Sequence, residues 1–155
     1  MSLETAHTLA PETVDALQEL TQMNIDSRDG LRYSAEQLKD SPIATMFREA
    51  AEERARQAAE LQHYVSLNDQ DPQRKGSLAA AVHRSWIAIR DSISSDDVHA
   101  VLAEAERGED HIKAAYEDVL KRTAGSAVND VLQRQYAAVK KIHDRIRDLR
   151  DSTRK

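Results

Sequence analysis

The fold is decided by residues 98–119, which read VHAVLAEAERGEDHIKAAYEDV. Apolar and small residues recur here at alternating spacings of four and three, the pattern of a helix packed along one face. One charged residue, Glu109, interrupts this seam near its middle. The stretch therefore predicts a long amphipathic helix with a carboxylate on its packed face. The seam positions are Val98, Leu102, Ala105, Glu109, Ile112, Tyr116 and Val119.

The same spacing recurs in three other segments, so four long helices are predicted. The first opens at Pro11, where the missing N–H of proline costs nothing, and the second opens at Ser41-Pro42. The last is expected from about residue 127 to 150, after a C-terminal cap at Gly125 and an N-terminal cap at Ser126. Each helix is near 25 residues, or about 37 Å, long. Four amphipathic helices of this length are what a four-helix bundle requires.

A long polar break separates the second helix from the next one. It covers residues 68–76, after which Ser77 is expected to cap a short helix that ends near residue 92. Ser95 then caps the helix of residues 98–119. Short loops make the first two long helices one antiparallel hairpin and the last two another. Residues 69–95 are then the long crossover of a ferritin-like topology, and they carry the short extra helix.

Composition narrows the class of protein. The chain has 155 residues with no cysteine, four glycines and three prolines, which fits one domain and disfavours a β-sandwich or barrel. We expect a single domain over 1–155, with its core at about 12–150 and frayed ends at 1–10 and 151–155. Without cysteine, disulfides and thiolate zinc sites are excluded. No apolar run approaches the ~18–20 residues of a membrane span, so a soluble, cytoplasmic protein is expected.

The formal net charge of −5 hides an uneven distribution. Residues 140–155 carry seven lysines and arginines against three aspartates. Cations favour the negative end of a C-terminal helix dipole, and interleaved aspartates pair with them along the helix. This end is therefore interpreted as a solvated helix terminus, and neither nucleic acid nor a membrane surface is expected as a partner.

The helix seams are apolar at their ends and polar near their middles. Hairpin geometry places Asp26 level with about residue 55, and it places Glu106 level with His143. A layer of carboxylates with an imidazole halfway up a bundle is where ferritin-like proteins build di-metal sites. Iron or manganese would suit such oxygen-rich ligands. The candidate metal ligands are Asp26, Glu53, Glu106, Glu109 and His143.

The full di-iron pattern needs paired Glu-x-x-His motifs, which this chain lacks. Arg56 and Lys140 occupy the positions at which that pattern requires His and Glu, respectively. The motif Glu60-x-x-His63 has no partner motif at the same height in the bundle. We therefore prefer a hydrogen-bonded network without a cofactor, in which Arg28 or Arg54 neutralises the carboxylates. A bound metal is the alternative, and plain solvent exposure of the carboxylates is the third. The network would contain Asn24, Glu53, Glu109 and Gln135.

Residue blocks spread over about residues 12–150 also carry a family resemblance. The blocks are Asn24-x-Asp26 with Gly30, Glu52-Glu53-Arg54, His83-Arg84-x-Trp86, Glu106-Arg107-Gly108-Glu109-Asp110 followed by Tyr116, and His143-Asp144. They resemble a bacterial domain-of-unknown-function family of ferritin-like four-helix-bundle proteins, related to the stress-associated YciE/YciF group. The resemblance implies a ferritin-like fold and a role in stress survival, and it implies no established reaction.

Three functions compete on these grounds. The first, which we favour, is a non-catalytic, stress-associated bundle that acts through homo-oligomerisation or a protein partner. The second is a di-metal or mono-metal protein that handles iron, oxygen or peroxide through the mid-bundle carboxylates and His143. The third is a small-molecule binder that uses the bundle centre. Serine-hydrolase, P-loop and Rossmann functions fail because their glycine-containing motifs are absent.

Overall fold

The computed structural model describes residues 4–38, 41–76, 91 and 98–153. Within these residues the chain forms four α-helices and no strand, which confirms the prediction of an all-α, four-helix protein. Each of the four is too polar to cross a membrane. The helices are α1 (Pro11–Leu38), α2 (Pro42–Leu67), α3 (Val98–Arg122) and α4 (Asn129–Ser152).

Residues 68–76 are not helical, as the polar break predicted. Apart from Asp91, the residues of the short crossover helix expected over 77–92 lie outside the described residues, as do the caps expected at Ser77 and Ser95. The same holds for the His83-Arg84-x-Trp86 block. The boundaries of the single domain stay a prediction.

Helix ends follow the predicted caps with two corrections. α1 begins at Pro11, and the Ser41 hydroxyl accepts a hydrogen bond of 3.1 Å from the Ala44 amide at the start of α2. Gly125 has a φ of 82°, the left-handed conformation that favours glycine, but it lies in a turn three residues beyond the end of α3. Ser126, however, accepts from the amide of Val128 at 3.2 Å within a turn, and α4 begins only at Asn129.

Contacts between side chains fix the direction of each helix. α1 and α2 form one antiparallel hairpin, in which Ser27 meets Arg54 and Arg32 meets Glu52. α3 and α4 form another, in which Tyr116 meets Gln135 and Glu106 meets Arg150. α1 also packs against α3, where Asn24 meets Tyr116 and Glu19 meets Arg122, so these two helices are antiparallel as well. α2 and α3 therefore run in the same direction. The end of α2 and the start of α3 therefore lie at opposite ends of the bundle.

Two apolar clusters fill the bundle interior, one toward each end. The first contains Leu17, Leu20, Leu61, Val119 and Leu132 among others. The second contains Leu31, Phe47, Leu102 and Ile146 among others. Buried polar residues lie between them, including Ser27, Arg54, Gln57 and Glu109. Apolar ends with a polar middle are the arrangement that the four seams predicted.

Residues 4–10 lie across one end of the bundle and are fastened there by Glu4. Its carboxylate accepts a hydrogen bond from the Ala10 amide at 2.7 Å and one from the Ala127 amide at 3.2 Å. Burial of Glu4 opposes ionisation, but hydrogen bonds from Ala10, Ser126, Thr13 and Ala127 outweigh it and lower the pKa of Glu4 from 4.5. Glu4 thus links the starts of α1 and α4.

Glu4→Gln is expected to cost about 1 kcal/mol of unfolding free energy at pH 7, the usual contribution of a helix cap. Because the folded pKa is lowered, the stabilisation by Glu4 is present above pH 4.5 and is lost as pH falls through the folded pKa. The unfolding free energies of the wild type and of Glu4→Gln should therefore become equal in acid, because protonated Glu4 resembles glutamine. Urea denaturation at several pH values measures this difference. A gap that stays constant down to the folded pKa would contradict the assignment.

Two glycines should respond to alanine in opposite directions. A Cβ on Gly76 would overlap the carboxylate of Asp26, whereas a Cβ on Gly108 would meet nothing within 4 Å. Gly108 lies inside α3, so Gly108→Ala is expected to raise the unfolding free energy by about 1 kcal/mol. Gly76→Ala should lower it by about 1 kcal/mol, because Asp26 must move. Thermal denaturation of both variants checks the signs, and equal signs would refute this prediction.

Candidate functional site

The polar middle of the bundle is centred on a buried ion pair. The Arg54 side chain is fully buried, and Glu109 is 3% exposed. The Arg54 Nη2 donates to the Glu109 carboxylate, and its Nε donates to the Ser27 hydroxyl at 3.2 Å. A charge buried this deeply is tolerated only with a close partner of opposite sign. Glu109 interrupts the seam of α3 because Arg54 reaches it from α2.

A second buried layer lies next to this ion pair and is centred on Tyr116. Its hydroxyl donates to Gln135 Oε1 at 2.7 Å and accepts from Asn24 Nδ2 at 2.8 Å. Burial raises the pKa of Tyr116 far above 10, so the hydroxyl keeps its proton and remains a donor at neutral pH. Tyr116 therefore joins α1, α3 and α4 through one oxygen atom. Asn24 Oδ1 is buried there and has no hydrogen-bond partner among the residues that the structure describes.

The Tyr116 layer extends to the surface between α2 and α4. Gln135 Nε2 donates to Glu60 Oε1 at 2.8 Å, and Arg134 donates to both Glu60 oxygens at 3.1 and 2.8 Å. The hydrogen bond from Arg134 is the largest cause that lowers the pKa of Glu60, and it outweighs the opposing effect of burial. All four helices are thus joined by one polar network.

A separate cluster lies where α3 packs against α4. It consists of Glu106, Asp110 and His143, whose ligand atoms all lie within 4.8 Å of one another. His143 is buried, and its Nε2 lies 2.5 Å from Asp110 Oδ1. Its Nδ1 lies 3.1 Å from Asp144 Oδ1. Two carboxylates and an imidazole are a donor set that binds iron, manganese or zinc.

Both ring nitrogens of His143 face carboxylate oxygens. An ionised carboxylate only accepts hydrogen bonds, whereas a neutral imidazole has one N–H to donate. The second contact therefore needs a second ring proton or a metal ion in its place. The Nδ1 side is fixed by Asp144, which is how metal-binding histidines are commonly oriented. The Nε2 side faces Asp110, and Glu106 belongs to the same cluster.

Cations surround this cluster. Arg150 Nη1 lies 2.5 Å from Glu106 Oε2, and Arg147 Nη1 lies 3.3 Å from Asp144. The hydrogen bond from His143 is the largest cause that lowers the pKa of Asp144, and Arg147 lowers it further. The three donors fit a single metal ion only if Arg150 releases Glu106. They do not provide the additional carboxylates that a pair of ions requires.

The predicted candidate ligands do not converge on one point. Glu106 and His143 come together, and Asp110 joins them, which the sequence reasoning did not choose. The spacing of the sequence could have indicated Asp110 as a ligand, because Glu106 and Asp110 are four residues apart and so share one helix face. Glu109 lies instead against Arg54. Asp26 lies beside Gly76.

Glu53 is the candidate placed furthest from expectation. It is partly exposed on α2, and its Oε2 accepts from Arg56 Nη2 at 2.6 Å. It therefore does not share in the buried network, because its helix position faces away from the axis. Of the two arginines expected to neutralise carboxylates, Arg54 does so, while Arg28 binds the exposed Asp29 at 2.8 Å. Tyr116 and Gln57 supply network contacts that the sequence reasoning did not assign.

Comparison with known proteins yields one family. Residues 12–122 match the family model described as Domain of unknown function (DUF2383). The match runs from the second residue of α1 through α2 to the last residue of α3. No curated protein matches the chain.

Proposed function

The chain belongs to the DUF2383 family of unknown function, and from this premise we propose that it is a ferritin-like, stress-associated bundle that acts without catalysis. We propose that it works in the cytoplasm through homo-oligomerisation or a protein partner, and that it is related to the YciE/YciF group. In this proposal the polar middle of the bundle holds the helices in register.

The observation that carries the proposal is the ion pair of Arg54 and Glu109. A ferritin-like di-metal centre needs anionic ligands aimed at the axis and no cation among them. Here the guanidinium of Arg54 occupies the position in front of Glu109, and Ser27 and Gln57 complete its surroundings. The residues present at the axis therefore do not fit a di-metal centre, and we derive no reaction there.

The helix order supports the ferritin-like part of the proposal. α2 and α3 run in the same direction, which requires a connection as long as the bundle between them. One long crossover between two antiparallel hairpins distinguishes ferritin-like bundles from simple up-down-up-down bundles. The residues over 68–97 provide a connection of sufficient length.

A second candidate function is the binding of one metal ion by Glu106, Asp110 and His143. The specific observation in its favour is that His143 presents Nε2 to Asp110 while Asp144 holds Nδ1, with Glu106 in the same cluster. A bound iron or manganese ion would supply redox or Lewis-acid chemistry at the α3–α4 interface. The competing ion pair of Glu106 with Arg150 is the reason we place this candidate second.

Complementation of a deletion strain tests the two candidates against each other. Survival of oxidative, osmotic and heat challenges is compared for the wild type and for the double variant Asp110→Asn, His143→Gln, with equal protein levels verified. We expect equal survival, because the changes remove the metal donors and leave the Arg54–Glu109 pair intact. Lost survival, with one equivalent of iron or manganese in wild-type protein purified without chelator, would establish the second candidate instead.

A further inference from the structure

A shallow groove of about 900 Å³ lies on the surface between the start of α2 and the end of α4. α2 and α4 pack less closely than the helices of either hairpin, and alanines on α4 leave the space open. The groove continues toward the bundle middle as a second depression of about 320 Å³ between the same helices. Its floor is apolar and partly exposed, with Ile43, Ile142 and Leu149 lying against the core.

The two walls of this groove carry opposite charges. On the α2 wall, Glu53 is paired with Arg56 at 2.6 Å, so Glu49 supplies the excess negative charge. The α4 wall presents Lys140, Lys141 and Arg145. Across the groove these charges are poorly matched within one chain. Arg145 reaches Glu49 only at 3.7 Å, and Lys141 has no carboxylate within 4.0 Å among the described residues.

Asp144 and Asp148 also line the groove, but both are already engaged. Asp144 binds His143 and Arg147, and Asp148 binds Arg147 at 3.2 Å. The exposed side of the α4 wall is therefore positive overall. A surface with an apolar floor, one acidic wall and one basic wall is complementary to itself when it is turned by 180°.

We propose that this groove is the interface of a two-fold symmetric homodimer, with the α4 wall of each copy lying against the α2 wall of the other. In that arrangement Lys141 and Arg145 meet the partner's Glu49, and their aliphatic stems cover the partner's apolar floor. The groove is open and shallow, so long side chains can fill it. This inference rests on the proposed function, since it chooses the homo-oligomer over an unrelated protein partner.

Sedimentation velocity over a range of protein concentrations tests the dimer. We expect the wild-type protein to form dimers with a dissociation constant below about 100 µM. Lys141→Glu or Glu49→Lys should raise this dissociation constant at least tenfold. A two-fold interface also predicts how a mixture of these two variants behaves. The heterodimer would contain both opposite-charge contacts again, so mixing should restore dimers that neither variant forms alone.

Lys121→Glu is the matched control, because it makes the same change on an exposed part of α3 outside the groove. It should leave dimerisation unchanged. A wild-type protein that stays monomeric at about 100 µM, or two charge reversals that do not rescue each other, would overturn the proposal. A monomer that still supports stress survival would leave the non-catalytic function standing, so the two failures are distinguishable.

Discussion

Arg54→Met is expected to lower the free energy of unfolding by about 3–5 kcal/mol, the largest effect of any change considered. The substitution fills a similar volume but leaves the carboxylate of Glu109 buried without its partner cation. Ser27 would also lose the donor that now reaches its hydroxyl at 3.2 Å. Urea denaturation at pH 7, with the cooperativity of unfolding verified, measures the difference between the variant and the wild type.

A double-mutant cycle separates the ion pair from the loss of packing. Glu109→Met alone should also destabilise, because it leaves Arg54 charged and fully buried. The double variant Arg54→Met, Glu109→Met should recover most of the loss, since two apolar groups can replace a buried pair at little cost. Additive losses would contradict the assignment of the pair as the central contact.

The variant Glu109→Gln distinguishes between two roles for Glu109, a member of the hydrogen-bonded network and a ligand of a metal centre at the axis. It should lower the melting temperature and leave the iron or manganese content of the purified protein unchanged. About two equivalents of iron per chain that disappear in this variant, with its fold intact, would establish a di-metal function.

The helices could be predicted from sequence because each has a strong local signal. α3 follows from its repeating seam, and α1 and α2 follow from prolines at their first turns. The start of α4 was misplaced because Ser126 binds the nearby Val128 amide, a choice between two local hydrogen bonds that spacing does not decide. Pairing of the helices followed from loop length alone.

The site was less predictable because it depends on directions across the bundle. The seam of α3 correctly pointed Glu109 inward, and hairpin geometry brought Glu106 level with His143. The sequence offered no means to decide between Arg28 on α1 and Arg54 on α2 as the cation for Glu109. Each residue is rotated by about 100° from the one before it, so a small error in the orientation of a helix exchanges inside for outside. Glu53 shows the same limit, because its neighbour Arg54 occupies the inward position.

Tyr116→Phe is expected to cost about 2 kcal/mol of unfolding free energy, the second large effect. The hydroxyl connects Asn24 on α1 with Gln135 on α4, and both partners are buried. Phenylalanine keeps the ring and its packing but removes the donor to Gln135 and the acceptor for Asn24. Two buried polar groups would then lose a partner at once, which costs more than the loss of an exposed hydrogen bond.

Tyr136→Phe provides the matched control for this prediction. Its hydroxyl donates to Glu117 at 2.6 Å at the bundle surface, where water can replace the lost contact. The control should therefore cost less than about 0.5 kcal/mol, although the chemical change is identical. Gln135→Leu added to Tyr116→Phe should cost less than the sum of the single changes, because the orphaned amide is removed. Equal losses of unfolding free energy in Tyr116→Phe and Tyr136→Phe would mean that the hydroxyl of Tyr116 contributes no more than an ordinary surface contact. The polar layer would then not hold the helices in register.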